Sequence, residues 1–170
     1  MDKVALVALQ APLKQQYRDD APSAAITLRA SGRLGDGVAC SVESGRALAE
    51  AGLHPAAGGD GTQLCSGDML LEALVACAGV TLQAVGISLG IDVRAGRVHA
   101  EGELDFRGTL AVAKDAPVGF RTIRLALEVE SDADAEQLAT LAKLTERYCV
   151  VWQTLRRPAE GSVTITSSSE

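Results

Sequence analysis

Asp68-Met-Leu-Leu-Glu-Ala-Leu-Val-Ala-Cys77-Ala-Gly-Val-Thr-Leu82 is the stretch on which the reading of this chain turns. Ser66 can cap a helix start, Asp68 falls in a first turn where an acid suits the dipole, and Gly90 is a stop signal. The spacing therefore predicts one helix from Ser66 to about Leu89. Its apolar residues run nearly all round, the mark of a helix buried on most faces. A 170-residue chain has little material to wrap such a helix, so a second subunit is expected to cover part of it. Cys77 sits in the middle. Cys149 falls on a second helical stripe, Leu138, Leu141, Ala142, Thr145, Cys149, Trp152 and Leu155. Two such cysteines can be small buried hydrophobes or a redox pair, and the helices alone leave both readings open.

The length suits one domain. Hydrophobic residues are 47% of the chain, with five aromatics (Tyr17, Phe106, Phe120, Tyr148, Trp152), so the core is built from Ala, Val, Leu and Ile. A net charge of −6 argues against a general nucleic-acid binder, which needs a positive surface for phosphates. Val4 to Leu9 is too short for a signal sequence, and Asp2 stands where positive charge is expected. The run from Met69 to Leu89 approaches the ~20 residues of a membrane span, but Glu72, Gln83 and its small residues favour a core helix. The chain reads as cytoplasmic, with no membrane partner, a compartment in which structural disulfides are rare.

Along the chain, residues 1–23 read as an N-terminal arm, 24–166 as one domain and 167–170 as a frayed tail. Ala24 to Ala30 and Gly37 to Glu43 read as a hairpin around a turn at Ser31-Gly-Arg-Leu-Gly-Asp-Gly37. Arg46 to Ala51 reads as a helical turn, and Gly52 to Gly67 as a long loop. Ile91 to Phe106 suggests two short strands broken near Ala95-Gly96. Arg121 to Glu130 alternates as a strand, Ser131 to Asp134 caps the second helix, and Ser162 to Thr166 alternates as a terminal strand. Strands grouped around one long helix indicate an α+β fold with antiparallel sheets.

Thiol chemistry needs a thiolate, and burial alone opposes it, so a reactive Cys77 requires a cation nearby. Arg33, in its turn, is the candidate cation, and Asp68 its candidate partner. Cys40, Cys65, His54 and His99 show no metal-ligand spacing, and no metal or cofactor is expected. Gly58-Gly-Asp-Gly61 lacks the Lys-Ser/Thr of a phosphate-binding loop, and no Gly-x-Ser-x-Gly elbow exists.

Leu70-Leu-Glu-Ala-Leu-Val-Ala-Cys77, Asp105-Phe-Arg-Gly108, Pro117-Val-Gly-Phe120 and Cys149-Val-Val-Trp-Gln-Thr-Leu155 together resemble the OsmC/Ohr family of osmotically inducible and organic-hydroperoxide-resistance proteins. The resemblance covers residues 24–166. It implies an OsmC-like fold with a long central buried helix and antiparallel sheets, in an intertwined homodimer. It also implies a peroxiredoxin-like organic hydroperoxide reductase serving oxidative-stress defence. Cys77 would be the peroxidatic nucleophile, Cys149 the resolving thiol and Arg33 the stabiliser of the thiolate. A dithiol such as a lipoyl group would be the reductant. The alternative is a non-catalytic homodimer, either a small-molecule binder or a structural protein. The chain departs from the family pattern in three places. The family glutamate ten residues before the first cysteine is Gly67 here. Asp68 lies nine residues before Cys77, a rotation of about 900° that puts it on the opposite helix face. The family Cys-Pro is Cys149-Val150, which suggests that Cys149 lies inside a continuous helix.

Overall fold

A four-stranded antiparallel sheet carries one long helix across its face. The computed structural model describes the backbone of residues 3–34, 40–42 and 51–167, and the side chains of residues 8, 10–27 and 51–167. In chain order the elements are α1 (Lys3–Asp19), β1 (Ala25–Leu34), β2 (Cys40–Val42), β3 (Ala51–Gly52), β4 (Leu64–Cys65), α2 (Ser66–Leu89), β5 (Ala95–Asp105), α3 (Phe106–Thr109), β6 (Thr122–Glu130), α4 (Ala135–Tyr148) and α5 (Val150–Arg156). The large sheet has the order β2-β1-β5-β6. β3 and β4 form a short parallel pair.

α2 forms where its sequence places it. Gly90 takes the left-handed conformation (φ 69°) and ends the helix, its N–H turning back to Gly86 and Ile87 carbonyls. By length and composition α2 could cross a membrane, but one side of it lies against β1, β5 and α4. There Leu71, Leu74, Val75 and Ala78 pack with Val98, Ala100 and Cys149 into the main core cluster. The opposite side is open. Leu70, Ala73, Val80, Ala84 and Ile87 are exposed and Cys77 lies half-buried among them. Their spacing of 3-4-3-4-3 is the 3.5-residue repeat of a helix–helix seam. The all-round apolar character thus divides into one covered face and one bare stripe.

Several local expectations are corrected. The segment read as an N-terminal arm contains α1, which the interior Pro12 speaks against in sequence. Its anchors are Tyr17, almost fully buried, which donates its hydroxyl to the Ala56 carbonyl at 2.6 Å, and Gln10, which donates to Ala57. β1 continues through Ser31 to Leu34, so Arg33 belongs to a strand rather than a turn. It stands opposite Ser41 on β2 and Arg97 on β5. β5 is one unbroken strand, because Ala95 and Gly96 pair in register with Glu130 and Val129 instead of breaking it. The long loop holds β3, a 3₁₀ turn at Pro55–Ala57 and β4. The N-cap of α2 is Cys65, not Ser66. The helical turn read at Arg46 to Ala51 falls outside the described residues, apart from Ala51 in β3. Ser162 to Thr166 forms no strand. Val163 and Ile165 are each 93% exposed, since alternation makes a strand only where a sheet edge is there to pair with it.

Candidate active site

The site is built where α2 passes the junction of α4 and α5. Asp134 starts α4 with a capping box, taking the Gln137 amide at 2.8 Å while the Gln137 side chain takes its own amide. Leu141 and Thr145 hold α4 on the core. The apolar stripe continues through Cys149 to Leu155, but the helix does not. Cys149 adopts an extended conformation (φ −70°, ψ 106°), ending α4 and capping α5. Its own N–H still reaches the Thr145 carbonyl at 2.9 Å. The continuous helix expected through Cys149 is therefore wrong. The period survives the break because α5 turns the same apolar face to α2.

A broken ladder leaves amides and carbonyls to be satisfied. The Glu146 carbonyl accepts from the Gln153 side chain at 2.8 Å, and Arg156 pairs with the Glu146 carboxylate. The freed amides go to sulfur. Val151 and Val150 N–H groups donate to Cys77, and Trp152 N–H donates to Cys149 Sγ at 3.5 Å. The two thiols are within hydrogen-bonding reach of each other and form no disulfide in this structure. A proline at position 150 would start α5 equally well but would remove one of these donors. Val150 thus supplies an N–H to Cys77 that the family's proline cannot.

This arrangement splits the acidity of the pair. Burial opposes ionisation of Cys77. The Val151 amide, the Cys149 thiol, the Val150 amide and the Thr81 hydroxyl outweigh it, and the Cys77 thiol is held below its ordinary value. Cys149 is fully buried. Burial pushes it up to about 11, with the hydrogen bond to Cys77 and the Cys77 charge adding to the rise and the Trp152 amide opposing it. Of the two, Cys77 is the thiol that ionises first, and its thiolate would accept from a neutral Cys149 thiol.

The remaining candidates are placed as follows. Asp68, on the regular part of α2 half a turn out of phase with Cys77, has its carboxyl raised by burial. The side chains of Arg33 and Cys40 lie outside the described residues. Gly67 and Cys65 border a cavity of about 390 Å³ whose other walls include His54, Leu70, Phe106 and Phe120. His54 stacks on Phe106, with ring centres 5.0 Å apart, and its Nδ1 accepts the Ala56 amide at 3.0 Å. His99 is half-buried on β5, opposite Ala126. Among the described residues no three of His, Cys, Asp or Glu converge to hold a metal. Sequence reasoning missed the Val150 and Val151 amides and the Thr81 hydroxyl. Thr81 was legible in principle, because four residues after Cys77 is one helical turn away.

Comparisons with known proteins agree with this architecture. The family model described as OsmC-like protein matches residues 59–164, which include α2, both site cysteines and the break between α4 and α5. An OsmC-like hydroperoxide resistance protein from Jannaschia sp. CCS1 has a similar crystal structure, with a TM-score of 0.63 at 14% identity, covering 86% of this chain and 97% of that one. At that identity the likeness speaks for the fold. No curated protein matches the chain. With more than half of its length matched by the family model, the chain belongs to the OsmC-like family.

Proposed function

We propose that the chain is a thiol peroxidase that reduces organic hydroperoxides, with Cys77 as the peroxidatic nucleophile and Cys149 as the resolving thiol. The observation that carries this reading is the sulfur pair at the break between α4 and α5, one thiol lowered by two amides and its neighbour raised by burial. A merely structural pair of cysteines has no use for that division. The hydroperoxide-resistance description of the structural neighbour supports the substrate class.

The chemistry follows from the geometry. The Cys77 thiolate attacks the terminal oxygen of R–O–O–H, the O–O bond breaks, and Cys77 becomes S–OH. The departing RO⁻ takes a proton from solvent and leaves as the alcohol. Cys149 then attacks the Cys77 sulfur, expelling the oxygen as water and forming the disulfide. Burial is the larger cause of the raised Cys149 pKa. The part contributed by the Cys77 charge disappears once Cys77 is a neutral sulfenic acid, so oxidation itself eases ionisation of the second thiol. A dithiol such as a lipoyl group returns both cysteines to thiols through a mixed disulfide. Arg33, on β1, is assigned to stabilising the thiolate and orienting peroxide. Asp68 is its proposed carboxylate partner, reached from the far side of α2. The protein works in the cytoplasm.

The functional unit is a homodimer in which the bare stripe of α2 meets its equivalent in a second copy. That seam closes over the half-buried Cys77 and supplies the apolar surroundings an alkyl hydroperoxide needs.

Steady-state assay with cumene hydroperoxide and dihydrolipoamide tests the reading. Sustained, saturable peroxide loss that depends on the dithiol is the expected result. A rate no faster than that without protein would overturn it.

A further inference from the structure

Thr81 lies one turn after Cys77 on α2, half-buried, with its hydroxyl 2.7 Å from the Cys77 carbonyl oxygen. Four residues apart on α2, Thr81 and Cys77 are neighbours on one helix face, so the same hydroxyl lies beside Cys77 Sγ, and it helps to lower that thiol. On its other side Thr81 borders a cavity of about 580 Å³, together with Val80, Ala84, Leu144 and Tyr148. A threonine hydroxyl has one proton to give, and here it has two acceptors on one residue.

We propose that Thr81 is a catalytic hydroxyl that donates to the Cys77 carbonyl while Cys77 is a thiol and swings to Sγ when the thiolate forms. The inference rests on the assignment of Cys77 as nucleophile. In a regular helix the Cys77 carbonyl already has the Thr81 amide as its ladder partner, so it loses an auxiliary bond and not its only one. A charged sulfur is the stronger acceptor, and rotation about one side-chain bond suffices to reach it. When the sulfur lone pair is spent on peroxide oxygen the charge is gone, and the hydroxyl returns to the carbonyl. A threonine bonding back to the preceding turn is a common helix feature. On that purely structural reading Thr81 has no influence on the sulfur.

The two readings separate in the pH dependence of Cys77 alkylation by iodoacetamide, followed peptide by peptide by mass spectrometry in the full chain. Thr81→Val is expected to lower the Cys77 thiolate fraction about tenfold at pH values below the wild-type midpoint. Thr81→Ser, which keeps the hydroxyl, is expected to titrate with the wild type. Thr81→Ala serves if the valine variant fails to fold. Wild-type titration in Thr81→Val or Thr81→Ala overturns the proposal. So does an equal upward shift in Thr81→Ser, since the effect would then come from lost shape and not from a lost donor. The readout uses no peroxide. A protein that fails to reduce hydroperoxide while still showing the shift would refute the peroxidase assignment alone.

Discussion

Cys77→Ser is expected to abolish peroxide reduction, lowering the rate by several orders of magnitude, while Cys149→Ser stops the enzyme after one turnover. The asymmetry comes from the different hydrogen bonding of the two sulfurs. Cys77 receives the Val150 and Val151 amides and ionises below the ordinary thiol value. A serine hydroxyl in its place is not ionised near neutral pH, so nothing attacks the O–O bond. Cys149 sits at about 11, fully buried, and takes part only after a sulfenic acid exists. Removing it leaves the first chemical step intact. Dimedone labelling of peroxide-treated protein reads the difference: Cys149→Ser should trap the reagent at Cys77, and Cys77→Ser should trap none. The same burst in both variants would mean that the roles have been assigned wrongly.

Ala84→Glu is expected to convert the proposed dimer to monomer and to lower thermal stability sharply. Ala84 lies exposed on α2 between Val80 and Ile87, in a stripe that runs from Leu70 to Ile87, about 26 Å along the helix. If a second α2 packs there, the substitution buries a carboxylate with no partner, at a cost of roughly 3–5 kcal/mol. That weakens association by roughly 10²-fold or more. If the stripe faces water instead, a glutamate on a helix surface costs only a few tenths of a kcal/mol. Sedimentation of wild type and variant at micromolar concentration decides. A wild type that sediments as monomer, or a variant that stays dimeric, would contradict the seam.

How far such a site can be read from sequence depends on what each residue answers to. α2 was legible because its boundaries are local: an acid in the first turn and a glycine that takes a left-handed conformation at the end. The division of its surface into a packed face and a bare stripe was not, since nothing in a helix apolar all round says which side the sheet takes. β6 was legible from strict alternation, with Ile123, Leu125, Leu127 and Val129 turned one way. β5 was misread because Gly96 looks like a break, whereas pairing with β6 carries the strand through it. α1 was missed because its packing rests on a few contacts, chiefly Leu13 and Tyr17.

The site shows the same division. Cys77 and Cys149 were legible as residues on two apolar stripes. Their proximity follows from α2 lying against α5, a tertiary fact. The break at Cys149 has neither proline nor glycine to announce it. It is held by bonds made after the chain has folded, from Val150 and Val151 to one sulfur and from Trp152 to the other. Replacement of the family's proline by Val150 reads in sequence as the loss of a helix start. In the folded protein the helix starts there regardless, and the thiolate has an additional donor.

The central claim is that these two sulfurs exchange thiol for disulfide when they meet a peroxide. Treating the fully reduced protein with one equivalent of cumene hydroperoxide, and mapping its cysteines by mass spectrometry without reduction, tests this directly. The account predicts a Cys77–Cys149 disulfide formed in proportion to peroxide consumed, with Cys40 and Cys65 still free. Two unmodified thiols, or a disulfide that leaves out Cys77, would contradict it.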